Sequence, residues 1–270
     1  MLQEIGMDAE VIETATPAEM KEQLRRLAEA RARIVVVAGG DGTVHTAAQE
    51  LAHSDTCLGI LPQGTSNNFA TALRLPMDVR DALRVVRDGG VQRVDLGRVS
   101  GSPIRTEYFT EAAGVGLYAE MLAIYGAGPR KSLLRGIYAI LATLYHVRPH
   151  AFRLTIDGEE RIERGVMCTA ANCSLIGMSM PLAPDAHLTD GLLDFVIIGR
   201  LRPAELVRYY RACMSRALRS FPQVTIRRVK EVTIETRRPM NLHCDDHILT
   251  RTPATIRVEP GALLVLVEKL

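Results

Sequence analysis

Hydrophobic and polar positions divide the chain into two halves with different periodicity. Up to about residue 88, short apolar runs such as RIVVVA (33–38) and CLGILP (57–62) alternate with segments of helical period such as TVHTAAQELA (43–52). Strands that alternate with helices predict a parallel sheet with helical crossover connections. The pattern therefore predicts an α/β domain over residues 1–92.

Several helix and strand signals in this first half are specific. AEVIET (9–14) predicts a short strand, and Thr16 followed by Pro17 predicts a helix whose first turn is capped by a side chain. SNNFATAL (66–73) predicts the start of a further helix, and VRDALRVVRDGG (79–90) predicts a helix that ends at glycines.

From about Val91 onward the pattern changes to short strands separated by turns. Segments such as FRLTIDG (152–158) and LLDFVIIG (192–199) predict a mostly antiparallel, sandwich-like domain over residues 93–270. The predicted fold class is therefore α/β, with an N-terminal parallel-sheet domain and a C-terminal β-sandwich-like domain.

Composition is that of an ordinary globular protein, with 47% hydrophobic and 24% charged residues. A net charge of +2 gives no indication of nucleic-acid binding, and none is expected. The five cysteines lack metal-ligand or disulfide spacing, which predicts reduced thiols. The N-terminus shows no export signal, and the apolar stretch YAILATLYHV (138–147) is too short to span a bilayer. We expect a cytoplasmic protein.

Two helices are predicted within the second half, near residues 130–147 and 202–219. On a helical wheel of the second, one side carries arginines (Arg208, Arg211, Arg216 and Arg219), and the other carries apolar residues that include Met214 and Leu218. Between residues 200 and 238 there are eleven Lys/Arg against three Asp/Glu. This basic face is either a solvated surface or a docking surface for an anionic bilayer, where each cation contributes about 1 kcal/mol.

The segment AGGDGTVH (38–45) follows a predicted buried strand and precedes a predicted helix. Gly39, Gly40 and Gly42 permit tight backbone turns, so main-chain N–H groups and the helix N-terminus can converge on an anion. Asp41 would repel a phosphate unless a cation, a ribose hydroxyl or the acceptor lies nearby. A plain Asp-Gly turn is the alternative interpretation.

A second loop, QGTSNN (63–68), repeats the arrangement of strand, small polar residues and helix. By itself it is explained by a simple helix cap. Two such loops on successive strands predict a rim that holds a nucleotide between them. The second loop contributes Gly64, Thr65, Ser66 and Asn67.

The order GGDGTVH followed by LPQGTSNNFA resembles the diacylglycerol kinase catalytic-domain family, which includes bacterial lipid kinases and sphingosine kinases. NAD kinases share the first loop, but the second favours the lipid-kinase branch. APDAHLTDGLLDFVII (183–198) and CDDHILTRTPATIRVEPGALLVLV (244–267) are similar to the family's Asp-Gly-Leu-Leu-Asp and Asp-Gly-Glu segments. The resemblance implies an ATP- and Mg²⁺-dependent kinase that phosphorylates a lipid hydroxyl such as that of diacylglycerol.

The resemblance also implies that the N-terminal parallel-sheet domain binds the nucleotide and that the last segment of the second domain carries the catalytic turn. It further implies roles for individual residues. The implied ATP contacts are Thr14, Gly39, Gly40, Asp41, Gly42, Thr43, Val44, His45, Thr46, Gly64, Thr65 and Asn67. In bacterial members a structural Mg²⁺ is held at the Asp-Gly-Leu-Leu-Asp turn, here His187, Asp190 and Leu192. Of these only Asp190 must bind through its side chain, and oxygen ligands suit this hard cation. A plain Asp-Gly turn is the alternative there.

Three departures from the family pattern bear on activity. Counting back from Pro260 places His247 where the family has its proton-accepting glutamate, and histidine is a competent base near neutral pH. Asp245 or Asp246 could take that role instead, and Asp41 is a further catalytic candidate. Asn68 stands where the family usually has aspartate.

The third departure is at the N-terminus. The family opens with a strand carrying Asn-Pro, and only MLQEIGMD precedes AEVIET here, so we expect an N-terminally truncated nucleotide domain. Two alternatives to an active lipid kinase remain: a catalytically impaired nucleotide- or lipid-binding relative, and a soluble-substrate enzyme akin to NAD kinase. The expected partner is a lipid at the inner membrane surface, and the oligomeric state is left open, with a homodimer as one candidate.

Overall fold

The computed structural model describes residues 9–101, 106–126, 148–200 and 205–269. These residues form two compact units. Unit 1 contains the described residues of Met1–Val94 and Ala262–Leu270, and unit 2 is Asp95–Gly261. Among the described helices, none is both long and apolar enough to cross a bilayer.

Unit 1 is built on parallel strands. Strand β1 (Ile34–Gly39) pairs in parallel with β2 (Cys57–Pro62), with Gly39 opposite Pro62. The end of the last strand of the chain, β16 (Ala254–Val267), pairs in parallel with β2, with Leu264 opposite Cys57. The sequence prediction assigned this last segment to the β-rich second domain.

Four helices accompany these strands: α1 (Pro17–Glu29), α2 (Asp41–Leu51), α3 (Asn68–Ala72) and α4 (Val79–Asp88). Thr16 caps α1 as predicted, since its hydroxyl accepts the Glu19 N–H at 3.2 Å. The interior of unit 1 includes Leu51, Leu58 and Phe69, all fully buried.

The strand predicted over residues 9–14 is wrong. This segment has no regular structure, and Val11 is 70% exposed. Among the described residues β1 pairs only with β2, and no described strand pairs with this segment. Its two aliphatic residues, Val11 and Ile12, are adjacent, so they do not form the one-sided face of a half-buried strand.

Unit 2 contains the following strands: β3 (Gly90–Ser100, which begins in unit 1), β4 (Glu107–Phe109), β5 (Ala112–Gly116), β6 (His150–Ile156), β7 (Glu159–Gly165), β8 (Met167–Ala171), β9 (Leu175–Ile176), β10 (Met180–Pro181), β11 (Leu193–Ile198), β12 (Val224–Val229), β13 (Glu231–Thr236), β14 (Asn241–Cys244), β15 (His247–Arg251) and the first part of β16.

The strands of unit 2 form two antiparallel layers. One layer has β13 between β6 and β16, with β7 beyond β6. The other has the order β12-β11-β8-β5-β14-β15. A single apolar core is shared by both layers and includes Phe109, Phe152, Phe195 and Ile256. The predicted β-sandwich-like architecture is confirmed.

Helices α5 (Leu117–Gly126) and α6 (Leu206–Met214) belong to unit 2, with a 3₁₀ turn at Leu218–Ser220. Helix α6 ends at Met214, before the end of the helix predicted over 202–219, and Arg216 beyond it adopts a left-handed backbone with φ 55°. Met214, predicted on the apolar face, is 52% exposed, whereas Tyr209 and Cys213 are buried. The helix predicted near 130–147 lies outside the described residues.

The five cysteines are free thiols, and all five are buried. They lie in both units, and their burial agrees with the expectation of reduced thiols. Burial raises the pKa of the Cys57 thiol to about 11, and it also raises the pKa of Cys168.

Candidate active site

The two predicted glycine loops lie side by side at one edge of the parallel sheet. Strands β1 and β2 run in register up to Gly39 and Pro62, so both chains leave the sheet at the same edge. Directly beyond the strands, the Gln63 N–H donates to the Gly39 carbonyl at 2.9 Å. In parallel sheets this carboxyl edge is where ligands bind.

Glycine is required where the loops meet. A Cβ built on Gly64 would lie 2.4 Å from the Cα of Gly40, and a Cβ on Gly40 would lie 2.9 Å from the Cα of Gly64. Neither contact can be relieved by a flexible side chain, because both involve backbone atoms. A Cβ on Gly42 would meet nothing within 4 Å, so this position borders open space.

Helix α2 begins at this contact, with Gly40 as its N-cap and without a side-chain capping bond. The Gly40 carbonyl accepts from the N–H groups of Thr43 and Val44 at 2.9 and 3.1 Å. The positive end of the helix dipole therefore lies between the two loops. Such an end attracts anions, phosphate in particular.

Asp41 connects the two loops. Its Oδ1 accepts the backbone N–H of Phe69, in the first turn of α3, at 3.3 Å. The residue before α3, Asn67, has a left-handed backbone and makes no side-chain cap. Its amide instead bonds both the N–H and the carbonyl of Gly64, at 2.9 and 3.0 Å. The Asp41 carboxylate thus has a structural role at the rim in addition to any contact with a cation.

The remaining residues predicted to contact the nucleotide differ in their location and in their exposure to solvent. On α2, Val44 and Thr46 are buried, and the Thr46 hydroxyl bonds the Gly42 carbonyl at 2.9 Å. His45 Nε2 lies 3.3 Å from the side-chain amide of Gln49. Thr65 is exposed in the second loop, and Thr14 is exposed in the irregular segment before α1. The role predicted for Thr14 stays a prediction.

Asp245, in unit 2, is a buried carboxylate with its oxygens occupied. Oδ2 accepts from the Thr110 N–H and hydroxyl at 3.0 and 2.9 Å. Oδ1 accepts from the N–H groups of Glu111 and Ala112 at 2.8 and 3.1 Å. Its own N–H donates to the Ala112 carbonyl at 2.8 Å. This residue fixes the turn before β15 onto the chain between β4 and β5.

His247, two residues further, borders solvent, and its side chain is 40% exposed. Its Nε2 lies 2.9 Å from Oε1 of Glu107. His243, on β14, is fully buried by contrast, and desolvation lowers its pKa from 6.5 to about 4. Of these two histidines only His247 borders solvent and can meet a substrate.

The turn predicted to bind a structural Mg²⁺ already has a cationic partner. Asp190 Oδ2 pairs with the guanidinium of Arg228, and Oδ1 accepts the Leu192 N–H at 3.0 Å. His187 is exposed. A divalent cation does not fit Asp190 in this arrangement unless Arg228 is displaced, so the magnesium site stays a prediction and no chemical step is assigned to it.

Sequence reasoning missed Asp95. Its side chain is buried and accepts the N–H groups of Gly191 and Gly261 at 2.7 and 2.8 Å. It thereby joins the predicted metal turn to β16 within unit 2. A signal was present, since an aspartate inside the strand pattern VQRVDLGRV (91–99) has to find buried partners. No sequence signal marked Glu107, because no local sequence pattern links it to His247.

Two family models match the chain in the order that the sequence pattern predicts. The model described as the diacylglycerol kinase catalytic domain matches residues 1–99. The model described as the YegS C-terminal NAD kinase beta sandwich-like domain matches residues 118–267. Together they account for both the glycine loops and the β-rich half.

Known proteins agree with these matches. A diacylglycerol kinase of Mycobacterium tuberculosis is 32% identical over 237 residues, which is 86% of this chain and 76% of that protein. A diacylglycerol kinase of Staphylococcus saprophyticus is 25% identical over 254 residues, 90% of this chain and 80% of that protein. The crystal structure of a diacylglycerol kinase from Bacillus anthracis shares the fold, with a TM-score of 0.76 at 19% identity, covering 98% of this chain and 88% of the other.

The fold and the matched models define a phosphotransferase of the lipid-kinase class. The chain belongs to the diacylglycerol kinase catalytic-domain family. The family resemblance seen in the sequence is thereby confirmed, together with the expectation of an enzyme.

Proposed function

We propose that this kinase transfers the γ-phosphoryl group of ATP, bound with Mg²⁺, to the hydroxyl group of diacylglycerol or a closely related lipid alcohol. The observation that carries the proposal is the pair of glycine loops, which meet at Gly40 and Gly64 in a chain of this family. The names of the relatives as diacylglycerol kinases support the choice of acceptor.

The loops suit a polyphosphate. The uncapped N-terminus of α2 offers main-chain donors and a positive dipole end, and Gly42 borders open space. Bound Mg²⁺–ATP would supply the phosphoryl group, with the metal neutralising its charge. The residues proposed to hold it are those of the two loops and the first turn of α2: Gly39, Gly40, Asp41, Gly42, Thr43, Val44, His45, Thr46, Gly64, Thr65 and Asn67.

The proposal also assigns a proton acceptor. Asp245 is an unsuitable base, because four donors surround its buried carboxylate. We assign the role to His247, which is partly exposed and follows the Asp245 turn. It accepts the hydroxyl proton as the lipid oxygen attacks phosphorus.

A transfer assay tests this function. Purified protein is incubated with γ-labelled ATP and vesicles that contain diacylglycerol, with NAD as a soluble competitor acceptor. We expect labelled phosphatidate, a loss in kcat of about 10²–10⁴-fold for His247→Ala with unchanged ATP affinity, and no loss for His150→Ala, an exposed histidine of unit 2. Absence of transfer to a panel of lipid alcohols, with ATP binding intact, would rule the proposal out.

We also propose that exposed arginines dock the protein on an anionic membrane surface. Arg208, Arg211 and Arg216 are exposed in and after α6, whereas Arg219 pairs with Asp185 at 3.2 Å. Exposed cations near an anionic bilayer favour docking. Activity on vesicles should therefore rise with their content of anionic lipid and fall with added salt. A cytoplasmic location and a homodimer stay predictions.

A further inference from the structure

The imidazole of His247 faces a carboxylate from a distant part of the sequence. His247 begins β15, Glu107 begins β4, and Nε2 of the histidine lies 2.9 Å from Oε1 of the glutamate. Nδ1 lies 3.7 Å from Oδ1 of Asp246, which exceeds hydrogen-bond distance. The His247 and Glu107 side chains are 40% and 25% exposed, so the pair borders solvent.

The fold keeps the segments that carry these two residues close together. On the Glu107 side, β4 pairs with β3, and the ring of Phe109 is fully buried in the core of unit 2. On the His247 side, the carboxylate of Asp245 binds residues 110–112, which follow β4 directly. The segments that carry Glu107 and His247 are therefore joined by hydrogen bonds two to five residues away from the pair itself.

We propose that Glu107 is a positioning residue for His247, an inference that rests on the proposed lipid-kinase reaction. Glu107 accepts the Nε2–H of the ring, which fixes the tautomer in which Nδ1 carries the lone pair. The carboxylate also stabilises the imidazolium that forms when Nδ1 takes the hydroxyl proton, as a carboxylate behind a catalytic histidine does elsewhere.

The phosphoryl transfer needs no reactant other than ATP and the lipid alcohol. The lipid oxygen forms its bond to the γ-phosphorus while the bond from that phosphorus to the β–γ bridging oxygen breaks. ADP departs with the electron pair of the broken bond, and the hydroxyl proton passes to Nδ1 and then to solvent. The family resemblance places a glutamate at the position of His247. In this chain the carboxylate comes from position 107 and acts through the ring.

Kinetics of four variants test the pairing: Glu107→Ala, His247→Glu, the double variant, and Glu160→Ala as a control at an exposed glutamate of β7. We expect Glu107→Ala to lower kcat by about 10–100-fold with the KM for ATP within about twofold. Glu160→Ala should match the wild type. In the His247→Glu background, Glu107→Ala should change kcat by less than about twofold, because no imidazole remains to be oriented.

Two kinetic results would overturn the inference: an unchanged kcat for Glu107→Ala, or equal losses in both backgrounds. The ¹⁵N chemical shifts of the His247 ring give a reading that does not depend on turnover. We expect the neutral ring to be protonated at Nε2 in the wild type and in Glu160→Ala, and to populate both tautomers in Glu107→Ala. A wild-type ring protonated at Nδ1 would contradict the pairing. Failure of the wild type to phosphorylate any lipid would instead count against the proposed function.

Discussion

At the scale of single residues, Asp245 is predicted to support the structure rather than the proton transfer. Asp245→Ala leaves the hydroxyl of Thr110 and three backbone N–H groups of residues 110–112 without their acceptor. We expect the free energy of unfolding to fall by about 3 kcal/mol, because buried donors then lack partners. Urea unfolding followed by circular dichroism measures this loss.

The neighbouring residue provides the matched control. The Asp246 side chain is 62% exposed, so Asp246→Ala should change the free energy of unfolding by less than about 0.5 kcal/mol. Equal losses for the two variants would show that the bonds of Asp245 to residues 110–112 contribute little.

A second residue-scale prediction concerns His243 and pH. Burial holds its pKa at about 4 in the folded protein, against 6.5 for an unperturbed histidine. The unfolded chain therefore binds a proton that the native state excludes, so the contribution to stability is complete above pH 6.5 and is lost as the pH falls towards 4. The loss between pH 7 and pH 4.5 amounts to about 2 kcal/mol.

Urea unfolding at the two pH values checks this sign. Asp245 opposes the shift and His247 adds to it, but desolvation is its largest cause. His243→Gln should lose about 2 kcal/mol less than the wild type on acidification. His150→Gln, at an exposed position, should behave like the wild type. Parallel curves for all three proteins would contradict a neutral, buried His243.

Residue identities at the candidate site were readable from the sequence, whereas their partners were not. Counting from Pro260 located His247, and the glycine motifs located Asp41. The bonds of Asp245, however, join residues 133–135 positions apart, and Glu107 is 140 positions from His247. Such pairs follow from strand order in the sandwich, which no local pattern encodes.

At the scale of elements, the glycine loops should tolerate substitution unequally. Gly40→Ala and Gly64→Ala each place a methyl group against backbone of the other loop, so both should separate the loops and weaken ATP binding at least tenfold. Gly42→Ala meets no atom within 4 Å, so it should keep the wild-type melting temperature.

Calorimetric titration with ATP and thermal unfolding separate these effects. A loss of ATP affinity in Gly42→Ala at unchanged melting temperature would place phosphate at the N-terminus of α2. Wild-type affinity in Gly64→Ala would mean that the approach of the two loops is unimportant for binding.

The Asp190 turn gives an element-scale prediction about metal. Because the Arg228 guanidinium occupies one carboxylate oxygen, millimolar Mg²⁺ or its removal with EDTA should leave the melting temperature of the nucleotide-free wild type unchanged. Arg228→Gln should open the oxygen and introduce a rise in melting temperature with Mg²⁺, which Asp190→Asn in the same background should abolish. A rise in the wild type would show that Mg²⁺ displaces Arg228, in support of the magnesium site predicted from the family.

Helices and strands with a clear sequence signal, such as a helix cap or an apolar run, were predictable. Thr16 and Pro17 located the start of α1, and the apolar runs located β1 and β2. The strand predicted over 9–14 failed because its adjacent apolar residues, Val11 and Ile12, do not form the one-sided apolar face of a half-buried strand, and both are exposed. The helix predicted over 202–219 is present at Leu206–Met214 among the described residues, and it ends earlier than predicted, with Arg216 beyond it in a left-handed conformation.

At the scale of the whole molecule, the α/β and β-sandwich character followed from the change in periodicity near residue 91. The division of the last strand between the two units did not. Residues before Gly261 pair antiparallel with β13 and those after it pair parallel with β2. The first part, ATIRVE (254–259), alternates apolar and polar residues, whereas ALLVLV (262–267) is apolar throughout, as in a parallel strand that is buried on both faces.

Because all five cysteines are buried, a single cysteine introduced at the surface can be labelled selectively in the native protein. Disulfide-exchange reagents attack thiolates, and thiols that are buried with raised pKa values react slowly. A single cysteine introduced by Glu160→Cys at an exposed position of β7 should therefore be labelled alone, with every native cysteine retained. Absorbance from Ellman's reagent should report about one fast thiol in that variant and all six only after unfolding in urea. A fluorophore placed there would follow vesicle binding by the working enzyme.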